Sequence, residues 1–409
     1  MKKDRLPEVL SPAGDRERLE AAVRFGADAV YLGGKEFGMR SSPLNFTQEE
    51  LACAVEYCHG AGVKVYVTCN TVPTNSEMER LPGYLKELER AGVDALIVAD
   101  IGVMALCKRA APSLELHVST QAGVANFVTA AELFHMGASR VVLARELSLD
   151  EIARIRENTP PELEIEAFVH GAMCMSFSGR CLLSNYMVGR DANRGECAQP
   201  CRWGYYLMEE KRPGQYFPVF EDECGSYILN ARDLCMIEHL DRLAAAGVDS
   251  FKIEGRAKSA YYVSVVTNAY RLAVDLYGRD PEHFSLPDWL RDEVYKVSHR
   301  RYDTGFYFGR PVDGQCYESG GYIREYDVAA VVDGWEDGAL LCTQRNRFFP
   351  GDELEALAPK SRPEALRTGR ILDETGAELE AARHPMQRLR LPGLPPFPAG
   401  TILRKRQDG

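Results

Sequence analysis

Five cysteines lie close together near the middle of the chain, and the thiolate form of cysteine both binds metals and acts as a nucleophile. They are Cys174, Cys181, Cys197, Cys201 and Cys235. Cysteines that serve only as small core residues do not gather in this way. The cluster therefore predicts a metal or iron–sulfur site, with buried apolar thiols or a disulfide pair as the alternatives.

The spacing of these cysteines bears on which metal they would hold. Zinc knuckles favour pairs of cysteines separated by two to four residues, and only Cys197 and Cys201 follow that pattern. A [4Fe-4S] cluster suits the wider spacing at least as well, because its ligands need only converge in space. Zinc is the alternative metal. Five cysteines also compete for four ligand positions.

The elements that would position these thiols alternate along the first 275 residues, where short apolar runs follow amphipathic helices. The eight runs are residues 9–11, 29–33, 63–70, 95–100, 114–120, 140–146, 163–171 and 250–255. Eight alternating strands and helices predict an α/β fold, a (βα)8 TIM-like barrel over residues 1–275. A doubly wound open sheet is the alternative, but no GxGxxG motif follows any of these strands.

Two segments depart from a plain barrel. A cysteine-rich insertion with a hairpin, about residues 172–232, follows strand seven, and insertions at that end of a strand lie on the catalytic face of a barrel. A linker with helical pieces occupies residues 276–324. Short strands with glycine turns then predict a small β-barrel domain over residues 325–409.

Polar side chains near the carboxyl ends of the strands are candidates for a substrate pocket, because those ends face the active site of a barrel. The candidate substrate-binding residues are Ser11, Tyr31, Asn70, Ser119, Gln121, Arg145 and Arg256; the candidate catalytic residues are Glu166, His170, Lys252 and Glu254. Each one alone is equally compatible with a structural ion pair. A Cys174–His170 nucleophile pair is a further alternative, while HExxH, P-loop and GxSxG motifs are absent.

The composition limits the possible binding partners of the protein and the cellular compartment in which it works. The net charge of −11 opposes non-specific binding of nucleic acid by the whole surface, although arginines concentrate at residues 180–202 and 388–406. No apolar run approaches the roughly 20 residues that a membrane helix needs. The first residues lack the apolar stretch of a secretory signal, and twelve cysteines favour a reducing compartment. We therefore expect a cytoplasmic protein with no membrane partner.

Several segments together resemble the collagenase-like peptidase family, also called peptidase family U32. They are the run from Glu166 through Gly171-Ala172-Met173-Cys174, the run from Gly179 to Ser184, LSPAGDRERLEAAVRFGADAVYLGG near the start, HVSTQ, and FKIEGR on strand eight. The resemblance extends over nearly the whole chain, including the C-terminal β-domain. The family bears a peptidase name of unknown catalytic type, yet its better understood members resemble proteins of RNA or quinone hydroxylation.

The resemblance implies a tRNA modification, the oxygen-independent 5-hydroxylation of the wobble uridine, with prephenate as a linked metabolite. It also implies a [4Fe-4S] cluster bound by Cys174, Cys181, Cys197 and Cys235, with Cys201 as the alternative fourth ligand. The insertion and a basic β-domain would bind tRNA and place an extruded base at the barrel mouth, where Arg145 and Arg256 bind phosphate or carboxylates. A collagenase-like peptidase, and a non-catalytic partner of a related barrel subunit, are the alternatives.

Overall fold

The computed structural model describes residues 5–38, 45–174, 181, 183–190, 196–203, 207–208, 216–217, 221–222, 225–226, 232–309 and 322–407. Arg180 and Arg194, which belong to the arginine-rich segment of the insertion, lie outside these residues. Within the described ranges, no helix combines the length and the apolar character needed to cross a membrane.

Eight parallel strands close into a ring. They are β1 Glu8–Pro12, β2 Ala29–Gly33, β3 Lys64–Cys69, β4 Ala95–Val98, β5 Glu115–Val118, β6 Arg140–Val142, β7 Glu164–Ala172 and β13 Ser250–Ile253. Strands β1 to β7 pair in chain order, and β13 pairs in parallel with both β7 and β1. The predicted TIM-like barrel is confirmed, because each short apolar run became one buried strand of the ring.

Helices surround the barrel and continue beyond it. They are α1 Arg16–Arg24, α2 Gln48–Gly60, α3 Asn75–Arg90, α4 Ile101–Ala110, α5 Phe127–His135, α6 Leu149–Glu157, α7 Leu183–Val188, α8 Leu240–Ala245, α9 Ala260–Arg279 and α10 Asp288–Glu293. Asp15 caps α1 by accepting a hydrogen bond from the Arg18 amide, and Thr47 forms a capping box with Glu50. Gly26 (φ 101°) takes the left-handed conformation that turns α1 towards β2.

The segment after β7 adds strands at one side of the barrel. In the insertion, β8 Leu207–Met208 pairs with β9 Tyr216–Phe217, and β10 Glu221–Asp222 pairs with β11 Gly225–Ser226. Strand β12, Asp233–Cys235, then lies antiparallel on β7, and β14, Tyr302–Asp303, pairs with β12. The chain therefore returns from the insertion to the carboxyl end of β7 before α8 begins.

An eight-stranded antiparallel sheet forms the C-terminal region, which confirms the expected separate β-domain. Its strands are β15 Tyr326–Glu336, β16 Ala339–Gln344, β17 Glu353–Leu357, β18 Glu364–Arg367, β19 Ile371–Leu372, β20 Glu378–Leu379, β21 Arg388–Pro392 and β22 Ile402–Arg406. It has its own apolar core around Phe348. The fully buried Arg404 joins this sheet to the barrel side by bonding Glu293 at 2.7 Å and Glu355 at 2.8 Å.

Candidate active site at the barrel mouth

A network of buried charges fills the interior of the barrel. The Arg140 guanidinium donates to Glu8 at 2.7 Å, to Glu164 at 2.6 Å and to Glu166 at 2.9 Å. The Lys252 ammonium donates to the other oxygen of Glu166 at 2.6 Å. Glu166 and Lys252 are both buried within this network, so they lie inside the barrel instead of at its mouth, which corrects the position expected from sequence.

The charges of this network stabilise one another. Burial alone would raise the pKa of Glu8, but the charge and hydrogen bonds of Arg140, with a hydrogen bond from Tyr66, lower that pKa to about 2. Burial of Glu166 is likewise outweighed by the charges of Lys252 and Arg140, so its pKa is also lowered. The barrel interior is therefore held in an ionised, paired state. A catalytic role for Glu166 and Lys252 stays a prediction.

Polar side chains from two strand ends, those of β3 and β5, meet above this network. The Asn70 amide, after β3, donates to the Ser119 hydroxyl at 3.3 Å, and that hydroxyl also accepts from the Gln121 backbone N–H at 3.3 Å. The Gln121 side-chain oxygen is buried and has no hydrogen-bond partner within the described residues. The structure thus brings together the predicted Asn70, Ser119 and Gln121, and leaves an acceptor that a bound ligand would satisfy.

Arg145 follows β6 at the same mouth and is a cation without a carboxylate partner among the described residues. Its guanidinium donates to the Ala172 carbonyl at 3.0 Å and lies 5.3 Å from the centre of the Phe168 ring, while its Nε is buried without a partner. A half-buried arginine held by a carbonyl and an aromatic ring keeps charge and donors for a ligand. Arg145 is therefore the best-placed anion-binding group of the predicted set.

Other predicted residues make separate contacts. The Ser11 hydroxyl is 2.7 Å from the Thr267 hydroxyl of α9, so it faces the helix layer and not the mouth. Tyr31 is buried in the barrel interior and donates to the Ile253 carbonyl at 2.9 Å. Arg256 is also buried, and its guanidinium donates to Thr68 at 3.0 Å and to Asn45 at 3.1 Å.

The backbone of Glu254 joins β13 to the end of β7. Its N–H donates to the His170 carbonyl at 2.8 Å, and its Cβ lies where a side chain on Gly171 would collide, which fits the positive φ of that glycine (107°). Glu254 is therefore fixed next to β7, and its catalytic role stays a prediction.

His170 is buried between tyrosines. Its Nδ1 lies 3.3 Å from the Tyr270 hydroxyl and its Nε2 lies 3.2 Å from the Tyr302 hydroxyl. Burial, with the nearby charges of His299 and Lys258, lowers the pKa of His170 to about 3, so the ring is neutral at physiological pH. Since both nitrogens face tyrosine hydroxyls, the geometry does not support the Cys174–His170 nucleophile pair.

The cysteines approach the mouth from two directions. Cys235, on β12, is paired with His170, and Cys174 follows the last residue of β7 by two positions. Cys174 and Cys197 are exposed, whereas Cys181, Cys201 and Cys235 are partly buried. Burial raises the pKa of the Cys235 thiol to about 12. Among the residues that the structure describes, no three Cys, His, Asp or Glu side chains are grouped closely enough to hold a metal ion.

Charge in the C-terminal sheet is balanced, so the basic β-domain expected from sequence is not observed. Residues 322–407 contain thirteen lysines and arginines and thirteen acidic residues. Arg404 is buried against two glutamates, Lys405 pairs with Asp352 at 3.3 Å, and Arg406 pairs with Glu325 at 3.3 Å. These pairs neutralise the run of basic residues that the sequence displays at its end.

Several residues of the site were missed from the sequence. Glu8 and Arg140 each begin a strand, and charged residues at the starts of otherwise apolar runs were the available signal. Tyr270 and Tyr302 carried no comparable signal, because each is one aromatic residue among many and lies 100 and 132 positions from His170. Phe168 was part of the quoted motif but had no assigned contact.

Comparison with known proteins decides the family. Residues 14–315 match the model of peptidase family U32, and residues 324–404 match the model of the peptidase family U32 C-terminal domain. The chain belongs to peptidase family U32. Both structural regions of this U32 chain, the barrel and the antiparallel sheet, are thus regions that the family shares.

Relatives of the U32 chain carry two kinds of name. It is 42% identical to tRNA hydroxylation protein P1 of Bacillus subtilis over 93% of this chain and 90% of that protein. It is 37% identical to tRNA hydroxylation protein P of Escherichia coli over 87% of this chain and 86% of that protein. It is 45% identical to an uncharacterized protease of Methanocaldococcus jannaschii over 74% of this chain and 73% of that protein.

Proposed function

We propose that this chain is an RNA hydroxylation enzyme, or a subunit of one, that acts on tRNA. The observation that carries the proposal is its 37–42% identity to two proteins named for tRNA hydroxylation, across nearly their whole lengths. Identity over such a span includes both the barrel and the C-terminal sheet. The finer reaction that we propose is oxygen-independent 5-hydroxylation of the wobble uridine.

The mouth of the barrel supports this role because its polar groups suit an extruded base and an anion. Base-modifying enzymes take the target nucleotide out of its stack and read its polar edge. Asn70, Ser119 and Gln121 supply amide and hydroxyl groups for that edge, and Arg145 supplies a cation for a phosphate or a carboxylate. Prephenate, as a linked metabolite, would bind through its carboxylates to Arg145.

We further propose that the cysteines bind a [4Fe-4S] cluster, through Cys174, Cys181, Cys197 and Cys235. Thiolates are the ligands that such clusters require. Cys235 lies on β12 opposite His170, and Cys174 follows the end of β7 by two residues. When bound, the cluster supplies one-electron redox chemistry at the mouth. Cys201 is the alternative to Cys235, and zinc is the alternative metal.

Iron and sulfide analysis of anoxically purified, reconstituted protein tests the cluster. Wild type should bind about four irons and four sulfides, the content of one such cluster. Cys174→Ser and Cys235→Ser should lose most of that iron, while Cys53→Ser, an exposed cysteine on α2, should retain it. A wild-type protein without iron would refute the cluster. Loss of iron in Cys201→Ser but not in Cys235→Ser would reassign the fourth ligand.

Nucleoside mass spectrometry of tRNA tests the reaction itself. Deleting the gene in a strain without redundant pathways should remove 5-hydroxyuridine derivatives at the wobble position. Unchanged levels in that strain would contradict the proposal. The peptidase alternative predicts that the wild-type protein cleaves gelatin and that Cys174→Ala abolishes the cleavage. We expect no gelatin cleavage by either protein.

A further inference from the structure

The hydroxyl group of Tyr270 sits at the seam between β7 and the Cys235 end of β12. It donates to the Val169 carbonyl of β7 at 2.7 Å and accepts from the Met236 N–H at 3.3 Å. Those two backbone groups also bond each other at 2.9 Å. Met236 directly follows Cys235, so one buried hydroxyl joins the barrel wall to the backbone beside the thiol.

His170 and Tyr302 hold Tyr270 in that position. The His170 ring lies between the two tyrosine hydroxyls, 3.3 Å from Tyr270 and 3.2 Å from Tyr302. The Tyr302 hydroxyl donates to the Val294 carbonyl at 2.8 Å, and its ring stacks on His299 with centroids 4.5 Å apart. A neutral imidazole has one ring N–H, and both tyrosine protons go to backbone carbonyls, so His170 donates to one of the two hydroxyls and packs against the other. This buried cluster is rigid, because breaking its hydrogen bonds leaves polar groups unpaired away from water.

The opposite end of β12 is fixed by an ion pair. The Asp233 carboxylate is buried and accepts from the Arg300 guanidinium at 2.6 and 3.0 Å and from the Arg300 backbone N–H at 3.1 Å. Both ends of this three-residue strand are therefore tied to the body of the protein. Cys235 lies between those ties, whereas Cys174 and Cys197 are exposed.

We propose that Tyr270 is a positioning residue for Cys235: its hydroxyl, oriented by His170 and Tyr302, fixes the Cys235 backbone on the edge of β7 before any metal binds. The inference rests on the proposed function, since it treats Cys235 as a ligand of the cluster. Cys235 would be the pre-placed ligand, and Cys174, Cys181 and Cys197 would complete the ligand set. Fixing one ligand in advance lowers the ordering cost of assembling the site.

Alkylation of the metal-free protein tests this role without using activity. Tyr270→Phe keeps the ring and removes the hydroxyl, so the segment around Cys235 should open more often. We expect iodoacetamide to modify Cys235 about tenfold faster in this variant, the change that follows from losing one to two net hydrogen bonds. Peptide mass spectrometry under anoxic conditions measures the rate. Tyr302→Phe, which loosens Tyr270 only indirectly, should give a smaller increase.

Tyr262→Phe is the matched control, because Tyr262 is a buried tyrosine on the same helix whose hydroxyl donates to the Glu254 carbonyl at 3.0 Å. The rate at Cys235 should stay at the wild-type value in this control. Equal rates in the Tyr270→Phe and Tyr262→Phe proteins would overturn the proposal. So would an equal acceleration at the buried Cys58 of α2, since that would reflect unfolding of the whole barrel.

A second readout uses the reconstituted protein. Loss of the Tyr270 hydroxyl should change the electron paramagnetic resonance signal of the reduced cluster, since groups around the ligands tune it, and Tyr262→Phe should leave the signal unchanged. Identical signals in the wild-type, Tyr270→Phe and Tyr262→Phe proteins would count against a positioning role. A wild-type protein that binds no iron would refute the proposed cluster, while the alkylation rates would still decide whether Tyr270 positions Cys235.

Discussion

Replacing Lys252 by methionine tests the buried charge network of the barrel. The Lys252 ammonium lies 2.6 Å from Glu166, and the two side chains are 5% and 0% exposed. Methionine preserves most of the aliphatic stem that packs near Tyr31 and Phe168. After the change, Glu166 keeps the Arg140 guanidinium, which Glu8 and Glu164 already share, and a buried carboxylate loses one of its two ion-pair partners among the described residues.

Removing one partner of a buried ion pair costs about 3–5 kcal/mol, because the remaining charge stays buried. Hydrogen exchange with mass spectrometry on peptides from β7 and β13 measures that cost separately from the C-terminal sheet. The expected loss corresponds to exchange roughly 150 to 5,000 times faster, at about 1.4 kcal/mol per factor of ten. High salt should change the effect little, since buried pairs are poorly screened.

Lys405→Met is the control, because Lys405 pairs with Asp352 at 3.3 Å where both side chains are about a quarter exposed. This surface pair should contribute about 0–1 kcal/mol. A double variant, Lys252→Met with Glu166→Gln, should recover part of the loss because it removes the uncompensated carboxylate. If Lys252→Met cost less than about 1 kcal/mol, comparable to the surface pair, the reasoning about the network would be refuted.

Three further predictions follow from the described contacts. Burial and a nearby arginine lower the pKa of His117, so the unfolded chain takes up a proton that the folded chain refuses, and stability should fall as the pH drops below about 6.5. In urea titrations from pH 7 to 5, His117→Gln should reduce that slope by up to about 1.4 kcal/mol per pH unit; an unchanged slope would contradict the assignment. Arg404→Met should lower the free energy of unfolding by about 3–5 kcal/mol, because Arg404 and Glu293 form a buried ion pair. Arg406→Ala, which removes an exposed ion pair with Glu325, should change it by less than about 1 kcal/mol. Equal effects would show that burial of the Arg404 pair is unimportant. Arg145→Met should reduce tRNA hydroxylation in cells at least about tenfold through loss of a charge-assisted contact. The control is Arg154→Met, because Arg154 is an exposed arginine on α6. Full activity of the Arg145→Met protein would remove Arg145 from the site.

The sequence predicted the barrel well because each strand carries its own signal, a short apolar run after an amphipathic helix. It predicted the depth of individual residues less well. Lys252, expected at the mouth, is buried inside the barrel against Glu166. How deep a side chain lies in a barrel depends on the stagger between neighbouring strands, and that information is absent from the strand itself.

Contacts across long separations were also beyond reach. Arg140 meets Glu8 from 132 positions away, and His170 meets Tyr302 from the same distance. Ser11 was expected at the mouth because it lies at a strand end, but its side chain faces α9. Alternation along one strand separates two faces without saying which of them the barrel encloses. Asn70, Ser119 and Gln121, which the sequence grouped and the structure brings together, follow β3 and β5, two strands that lie close in chain order.

Complementation of a deletion strain tests the central claim that this chain hydroxylates tRNA through its cysteines. The measurement is the amount of 5-hydroxyuridine-derived nucleosides in tRNA, by mass spectrometry, in a strain without redundant pathways. Wild type and Cys53→Ser should restore these nucleosides, and Cys174→Ser should leave them near the level of the deletion strain. Full restoration by Cys174→Ser, or no difference between the deletion strain and wild type, would contradict the account.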